Sequence, residues 1–378
     1  MDPLFGPLFA PARLREAVSA RAWVEAMLEA EAALAAAEAE AGVIPAAAAA
    51  AIAGAGGIDP AALGEAAVAS GPPVVPLVEA LRERVGAEHA EHVHHGATSQ
   101  DIVDTAAMLV ARRARALIVE ELDAVARACA ALAREHAATA MAGRTLLQQA
   151  LPVTFGLKAA GWLDATLDAR AGLLRTRLDA QLGGAAGTLA ALGDAGPAVA
   201  EDFARRLGLG APALPWHTAR GRVAELGAAL AVTAGTMGKL GLDLVLLAQS
   251  EVAEVVAGAG ASSAMPHKRN PVGAVRARAC ALRVPPLAAL LLGAMAQEHE
   301  RAAGAWQAEW EPLGEALGLT GGAAAGAREA LEDLEIRPDA MRAHLDALLA
   351  APGVAGGTGA AALFVERALS RAEEELGA

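Results

Sequence analysis

The chain has 378 residues, of which 55% are hydrophobic and 20% charged, so length and composition allow two or three domains around a large core. The net charge of −13 disfavours nucleic acid as a partner. The mean hydropathy of +0.36 raises the question of a membrane protein, but no apolar run of about 18 residues is free of charge. The best candidate, residues 226–248, contains Lys239 and Asp243. We therefore expect no membrane span.

The first residues lack the basic region and long apolar run of a secretory signal, so we expect none. Two cysteines, Cys129 and Cys280, occupy positions typical of a helical core. They form neither a disulfide framework nor a metal-ligand set, which predicts a reducing cytoplasm.

Residues 1–98 are predicted to form a small N-terminal helical domain. Trp23, Met27, Leu28 and Leu34 mark one amphipathic helix, which ends near Gly42. Segments rich in glycine and proline then separate shorter helices.

Four histidines lie within residues 89–95, but no carboxylate or cysteine stands at a recognisable ligand spacing, so we predict no metal site. Thr98 and Asp101 fit a capping box that opens a long helix. Two interpretations of Thr98 stay open. It caps the helix, or the helix N-terminus, with the Thr98 and Ser99 hydroxyls beside it, holds a substrate carboxylate.

Long helices dominate residues 99–335, the predicted central domain. The first would span residues 100–136, about 55 Å at ~1.5 Å per residue. A second is expected over residues 153–182. A third carries a regular seam with spacings of three and four, formed by Val223, Leu226, Leu230, Thr233, Met237, Leu240, Leu244 and Leu247. Helices of this length are typical of a bundle shared between subunits. Glu251 and Glu254 follow in seam positions, where we expect a polar pocket or solvent.

Residues 262–271 read Ser-Ser-Ala-Met-Pro-His-Lys-Arg-Asn-Pro and concentrate polar chemistry in an apolar protein. Asn270 is suited to cap a helix and Pro271 to occupy its first position, with a restart or kink at Pro285-Pro286. Lys268 would then stand beside a helix N-terminus that favours anions. The segment is either a catalytic loop over a bound carboxylate or a solvated turn whose basic residues balance nearby acids.

Three segments, residues 94–101, 143–152 and 262–271, resemble the signature motifs of the fumarase/aspartase superfamily. Within it, the chain resembles the bacterial 3-carboxy-cis,cis-muconate cycloisomerases in particular. They lack the histidine that fumarases, adenylosuccinate lyases and argininosuccinate lyases carry at the position of Leu146, and leucine cannot transfer a proton. Residues 297–310, Gln-Glu-His-Glu-Arg followed by two tryptophans, resemble the same group.

The resemblance implies an all-α, fumarase/aspartase-like fold whose long helical bundle forms the core of a homotetramer, with active sites shared between subunits. Residues 336–378 would be a shortened C-terminal helical domain. It implies a small tricarboxylate substrate, no cofactor and no metal. Ser262 would transfer the proton, with Lys268 and His94 as further catalytic residues. The substrate would be bound by Thr98, Ser99, Thr145, Gln148, His217, Arg222, Ser263 and Asn270.

The implied reaction is the closure of 3-carboxy-cis,cis-muconate to a carboxymuconolactone, in the protocatechuate branch of the β-ketoadipate pathway. Two alternatives remain: a β-elimination enzyme similar to adenylosuccinate lyase, and an inactive helical scaffold of the same fold.

Overall fold

The computed structural model describes residues 4–257, 260–261, 265 and 268–377. Within them the helices are α1 Gly6–Phe9, α2 Ala12–Ala17, α3 Ala20–Glu40, α4 Ala46–Gly54, α5 Pro60–Ser70, α6 Val74–Val85, α7 Ser99–Glu135, α8 Phe155–Leu174, α9 Gly196–Leu207, α10 Gly221–Leu247, α11 Val272–Gly293, α12 Trp310–Glu332, α13 Pro338–Leu349 and α14 Ala361–Leu376. The strands are β1 Ala140–Thr145, β2 Gln148–Thr154, β3 Val255–Ala257, β4 Gly260–Ala261, β5 Arg269–Asn270 and β6 Leu334–Ile336. The predicted all-α class is confirmed.

Five long helices form the central bundle. Helix α10 packs against α8, α11 and α12, and α7 packs against α8 and α12. Every residue of the predicted α10 seam, from Val223 to Leu247, is buried. Ile118, Leu122 and Cys129 on α7 are also buried. Burial of these apolar stripes is the main force that holds the bundle together.

Smaller elements surround the bundle. Helix α3 packs against α4, α7 and α9; α13 packs against the β1–β2 hairpin; and α14 packs against α7 and α8. The strands pair antiparallel as β1–β2, β3–β6 and β4–β5. None of these short sheets was predicted. The division of the chain into 1–98, 99–335 and 336–378 stays a prediction.

The helix predicted over residues 153–182 is wrong at both ends. Residues 148–154 belong to β2, and α8 ends at Leu174. Just beyond, Arg115 of α7 donates to the carbonyl of Thr176 at 2.8 Å and to its hydroxyl at 3.2 Å. These hydrogen bonds hold Thr176 just beyond the end of α8.

The start of α11 also differs from the prediction. Asn270 does not cap the helix, because it pairs with Gly260 in the β4–β5 ladder, and Pro271 takes the cap position. The helix does not restart at Pro285-Pro286 but continues to Gly293. Both prolines lie on the exposed side of α11, where water can reach the carbonyls that their missing N–H groups leave free.

Helix α10 is long and apolar enough to cross a membrane, but half of its most apolar window is buried within the protein. Lys239 and Asp243, which interrupt it, form an ion pair on its surface. Partial burial of this window is typical of a core helix that packs against its neighbours.

Candidate active site

The N-terminus of α7 is closed by the predicted capping box. The backbone N–H of Thr98 donates to Asp101 Oδ2 at 2.9 Å, and the Thr98 side chain accepts from the backbone of Asp101. Thr98 Oγ1 also accepts a hydrogen bond from Arg301 Nη1 at 3.1 Å. Both Thr98 and Ser99 remain half-buried. The cap therefore coexists with an accessible helix end that carries partial positive charge.

Arg301 belongs to this helix end, although the sequence analysis assigned it no role. Its Nη2 donates to the carbonyl of Ala185 at 2.9 Å, while Nη1 contacts Thr98. No acidic partner of Arg301 is present among the described residues. In the sequence, a role for Arg301 was indicated only by its place in the segment 297–301, which resembles the cycloisomerases.

His94 precedes the same helix end in a left-handed conformation with φ of 61°. Its Nδ1 lies 2.6 Å from Glu31 Oε1 on α3, and its side chain is 15% exposed. Burial lowers the pKa of His94, but the charge and hydrogen bond of Glu31 outweigh this effect and raise the pKa overall. The raised pKa favours a cationic imidazolium beside Thr98.

Asp101 and His217 form a buried pair beneath this helix end. His217 Nε2 lies 2.6 Å from Asp101 Oδ1, and neither side chain is more than 5% exposed. The Asp101 carboxylate also accepts from the backbone N–H groups of Gly183 and Gly184, at 3.0 and 2.9 Å. His217 Nε2 therefore contacts Asp101, and Asp101 holds the loop around residue 183. Its predicted substrate contact stays a prediction.

A second buried network lies one turn further along α7. Arg220 forms ion pairs with Asp104 at 2.7 Å and with Glu309, all three side chains being at most 3% exposed. Asp104 is further hydrogen-bonded by Gln100, Gln181 and Trp306. Opposite charges in close contact and several donors compensate the cost of burial. The network fixes the start of α10 against the start of α7.

Arg222 lies close to this network but points to a different partner. Its guanidinium stacks on Trp216, 4.5 Å from the ring centroid, and lies 3.5 Å from Asp179. Burial lowers the pKa of Arg222, although Asp179 opposes the shift. Within the described residues Arg222 makes no contact with Thr98 or Ser99, and its substrate-binding role stays a prediction.

Residues 143–152 lie within the β1–β2 hairpin. Thr145 pairs with Gln148 across a two-residue turn made of Leu146 and Leu147. Both leucines have positive φ, 50° and 64°, and are 96% and 74% exposed. Left-handed backbone costs a leucine roughly 1–2 kcal/mol. The hairpin therefore presents Thr145, Gln148 and a strained apolar tip to solvent.

Glu254 anchors this hairpin to the segment that leads into the predicted serine motif. It is fully buried and pairs with Arg144 of β1 at 2.8 Å and with His344 of α13 at 2.9 Å. Of the two expected surroundings, Glu251 has solvent, whereas Glu254 lies in the interior among polar partners. The carboxylate is tolerated because Arg144 and His344 both hydrogen-bond to it.

The ends of the serine segment are brought together by the β4–β5 ladder, in which Ala261 pairs with Arg269. Lys268 is exposed and Asn270 is half-buried beside this ladder. Ser262 and Ser263 lie outside the described residues. The catalytic assignment of Ser262 stays a prediction.

These residues fall into two clusters, one at each end of the bundle. The N-terminal cluster contains His94, Thr98, Ser99 and Arg301, and the hairpin cluster contains Thr145, Gln148, Lys268 and Asn270. The 37 residues of α7 lie between them, which corresponds to about 55 Å. The hairpin arm has six residues and reaches back at most about 20 Å. Among the residues that the structure describes, one chain does not bring the two clusters into a common pocket.

A cavity of about 660 Å³ lies between the N-terminal segment and α12, lined in part by Phe9, Trp23, Arg283 and Trp310. None of the predicted site residues lines it. In the part of the chain that the structure describes, no three His, Cys, Asp or Glu side chains are grouped to hold a metal ion.

Comparison with known proteins places the chain in a family. Residues 10–285 match the lyase family, so the chain belongs to it, and the predicted fumarase/aspartase relationship is confirmed. The chain is 50% identical to nitrosuccinate lyase of Streptomyces davaonensis, over 91% of this chain and 77% of that protein. It is 48% identical to 3-carboxy-cis,cis-muconate cycloisomerase of Bradyrhizobium diazoefficiens, over 92% of this chain and 80% of that protein.

The fold also matches that of a solved structure. A crystal structure of 3-carboxy-cis,cis-muconate lactonizing enzyme from Pseudomonas putida superposes with a TM-score of 0.92. Its sequence is 38% identical, and the superposition covers 100% of both chains. The N-terminal and hairpin clusters are thus set on the scaffold of an enzyme family.

Proposed function

We propose that this chain is a cycloisomerase that closes 3-carboxy-cis,cis-muconate to a carboxymuconolactone. The observation that carries the proposal is the superposition, over the whole of both chains, with a 3-carboxy-cis,cis-muconate lactonizing enzyme. The 48% identical Bradyrhizobium cycloisomerase supports it independently. The pathway would be the protocatechuate branch of β-ketoadipate metabolism, and the compartment the cytoplasm.

The reaction requires a C–O bond to form within one molecule. A carboxylate oxygen of the substrate attacks a carbon of a C=C bond, and the electron pair of that bond moves toward the carbon next to another carboxylate. The resulting carbanion is delocalised into that carboxylate as a doubly charged species. The carbanion carbon then takes a proton, and the lactone is complete. Positioned cations and N–H donors that tighten on the added charge lower the barrier.

The N-terminal cluster offers such groups. The end of α7 presents partial positive charge beside the Thr98 and Ser99 hydroxyls. Arg301 is held at 3.1 Å from Thr98, and the raised pKa of His94, where Glu31 outweighs burial, keeps a second cation close. Together they suit the carboxylates of a small tricarboxylate substrate.

The hairpin cluster would supply the proton and the other contacts. Ser262 is the proposed proton donor, with Lys268 as the cation that makes its ionisation accessible. Thr145, Gln148 and Asn270 would bind the substrate through hydrogen bonds. Leu146 at the turn carries no titratable group, which agrees with a cycloisomerase rather than a histidine-dependent lyase.

The separation of the clusters supports a homotetramer in which each site combines different chains. Exposed apolar side chains on α10 and α11, among them Val232, Val275 and Leu282, suit such an assembly. Val275 and Leu282 are seven residues apart and so lie on one face of α11. Burying this face between copies would remove apolar surface from water.

The second candidate is β-elimination from a substituted succinate, favoured by the 50% identity to nitrosuccinate lyase. A base would take a proton beside one carboxylate, and the substituent would leave from the adjacent carbon. An elimination similar to that of adenylosuccinate lyase is disfavoured by Leu146. An inactive scaffold of the same fold is the third alternative.

One set of assays separates these functions. The enzyme is incubated with 3-carboxy-cis,cis-muconate, nitrosuccinate and adenylosuccinate in turn, and the ultraviolet absorbance of each is followed. Turnover of the first compound alone supports the cycloisomerase. Turnover of nitrosuccinate alone would replace the proposal by elimination, and turnover of none would favour the scaffold. Ser262→Ala should remove most turnover while it leaves substrate affinity nearly unchanged.

A further inference from the structure

Helix α3 carries two glutamates on the side that faces the rest of the protein. Glu31 is 1% and Glu38 0% exposed, and they are two helical turns apart. Of the two, only Glu31 has a cationic partner among the described residues, namely His94, which lies 63 positions later in the chain. Buried carboxylates are rare unless they are paired, and the pair of Glu31 with His94 therefore raises the question of what it does.

The surroundings of Glu38 disfavour a charged carboxylate. Burial, and to a lesser degree the charge of Glu31, raises the pKa of Glu38 to about 8. Both of its oxygens lack a hydrogen-bond partner in the described part of the chain. Glu38 is thus held in its neutral form near pH 7.

The backbone around His94 has an unusual conformation. His94 has a φ of 61°, and Gly96 two residues later has a φ of 69°. A Cβ at Gly96 would lie only 2.6 Å from a Leu192 side-chain carbon, so the residue must be glycine at this close approach. Strained backbone persists only when the surroundings determine it fully. The imidazole is thereby presented between Glu31 and the end of α7.

Three charged groups act on the imidazole from three helices. Glu31 of α3 and Asp101 of α7 raise the pKa of His94, and Arg82 of α6 lowers it. Arg82 is turned toward the backbone, with Nη2 3.5 Å from the carbonyl of Val93. Asp101 is shared with His217 and three backbone N–H groups. Glu31 is therefore the acid whose charge is directed mainly at His94.

We propose that Glu31 is a positioning residue that holds His94 as an imidazolium for binding a substrate carboxylate. Glu31 Oε1 accepts a hydrogen bond from Nδ1–H, so the Nε2–H, on the other side of the ring, can donate to an anion. The inference deepens the proposed function and rests on it, because it assigns the end of α7 to the substrate. It also explains why a buried acid is placed next to an anion-binding site.

The test compares Glu31→Gln with the wild type at two pH values. The probe is tricarballylate, a tricarboxylate that cannot lactonise, and its affinity is measured by calorimetry. At pH 7.5 the variant should bind more weakly, by up to about tenfold, because each unit by which the His94 pKa falls lowers the imidazolium fraction by at most about tenfold. At pH 6 the two proteins should agree within about twofold. An equal loss at both pH values, or no loss at either, overturns the proposal.

Three further variants make the result specific. Glu38→Gln alters a neighbouring buried acid that is already neutral, and should bind like the wild type at both pH values. Glu31→Asp keeps the charge and should retain most of the affinity at pH 7.5. His94→Gln identifies the His94 signal in histidine-labelled NMR spectra by its disappearance. In the Glu31→Gln protein this signal should titrate at least about one unit lower; an unshifted titration overturns the proposal.

Failure of the role of Glu31 can be distinguished from failure of the cycloisomerase proposal. If the wild type binds tricarballylate but leaves 3-carboxy-cis,cis-muconate unchanged, the cycloisomerase proposal fails, and the role of Glu31 is still decided by the binding data. If the wild type turns over the muconate while Glu31→Gln has unchanged affinity, the role of Glu31 fails and the cycloisomerase stands.

Discussion

Arg144 and Glu254 form a two-point ion pair, with Nη1 2.8 Å from Oε2 and Nη2 2.9 Å from Oε1. They are 110 positions apart in the chain. The pair fixes the base of the β1–β2 hairpin to the strand that enters the serine segment. Because Thr145 follows Arg144 directly and β4 begins six residues after Glu254, the pair sets the relative position of two predicted parts of the active site.

Removal of the Glu254 charge should destabilise the protein. Glu254→Gln leaves Arg144 and His344 without their shared anion in a buried site, and breaking such a pair costs on the order of 3 kcal/mol. We expect a matching fall in the free energy of unfolding by urea, together with lower kcat. Glu251→Gln changes an exposed acid three residues earlier and should alter neither. Equal stability of the two variants would show that the ion pair contributes nothing.

The strained leucine turn gives a second prediction. Replacing Leu146-Leu147 with Asn-Gly supplies residues that favour positive φ and relieves roughly 1–2 kcal/mol of backbone strain. Thermal stability should therefore be kept or increased, whereas turnover should fall if the apolar tip contacts another copy. A variant with full activity would show that the tip has no part in the site.

Glu38 should make stability depend on pH. Its pKa is raised, by burial first and by Glu31 second, from 4.5 to about 8, so the native state binds a proton that the unfolded state has lost. The contribution of Glu38 to the free energy of unfolding should consequently be largest below pH 4.5. It should fall by on the order of 3 kcal/mol as the pH rises toward 8.

The Glu38→Gln protein should lack this part of the pH dependence, and Glu40→Gln, which alters an exposed acid on the same helix, should keep it. Denaturant unfolding between pH 5 and 8 measures both. A wild-type stability curve that does not fall more steeply than that of Glu38→Gln contradicts the assignment.

Arg301 is expected to contribute to substrate binding. Arg301→Lys keeps the charge but loses the geometry that joins Thr98 to the carbonyl of Ala185. KM should rise about tenfold, the effect of losing roughly 1.4 kcal/mol of uniform binding, with a smaller change in kcat. Arg13→Lys at an exposed ion pair is the control. An unchanged KM would remove Arg301 from the site.

The sequence predicted what depends on local periodicity. The seam from Val223 to Leu247 and the start of α7 at Thr98 are both present, because apolar spacing and capping chemistry act over a few residues. The β1–β2 hairpin was missed, since its turn uses two leucines instead of the usual Asn-Gly. The end of α8 was misplaced because Arg115, sixty-one positions away, determines it.

The same limit explains why the sequence analysis found no partners for several residues near the site. Glu31, Arg144 and Glu254 gain their roles from partners 63 and 110 positions distant. A periodic helix pattern places a glutamate on a face but does not reveal which cation lies opposite. The motif histidine His94 was found, whereas the acid that acts on it was not.

The central claim is that an active site combines the N-terminal cluster of one chain with the hairpin cluster of another. Subunit mixing tests it most directly. Arg301→Met and Gln148→Ala proteins, each of low activity, are unfolded together, refolded and assayed against each variant refolded alone. Random reassembly should create sites with both clusters intact and restore about a quarter of wild-type turnover. Mixed tetramers that stay as inactive as their parents, or an isolated monomer that turns over substrate, would contradict the claim.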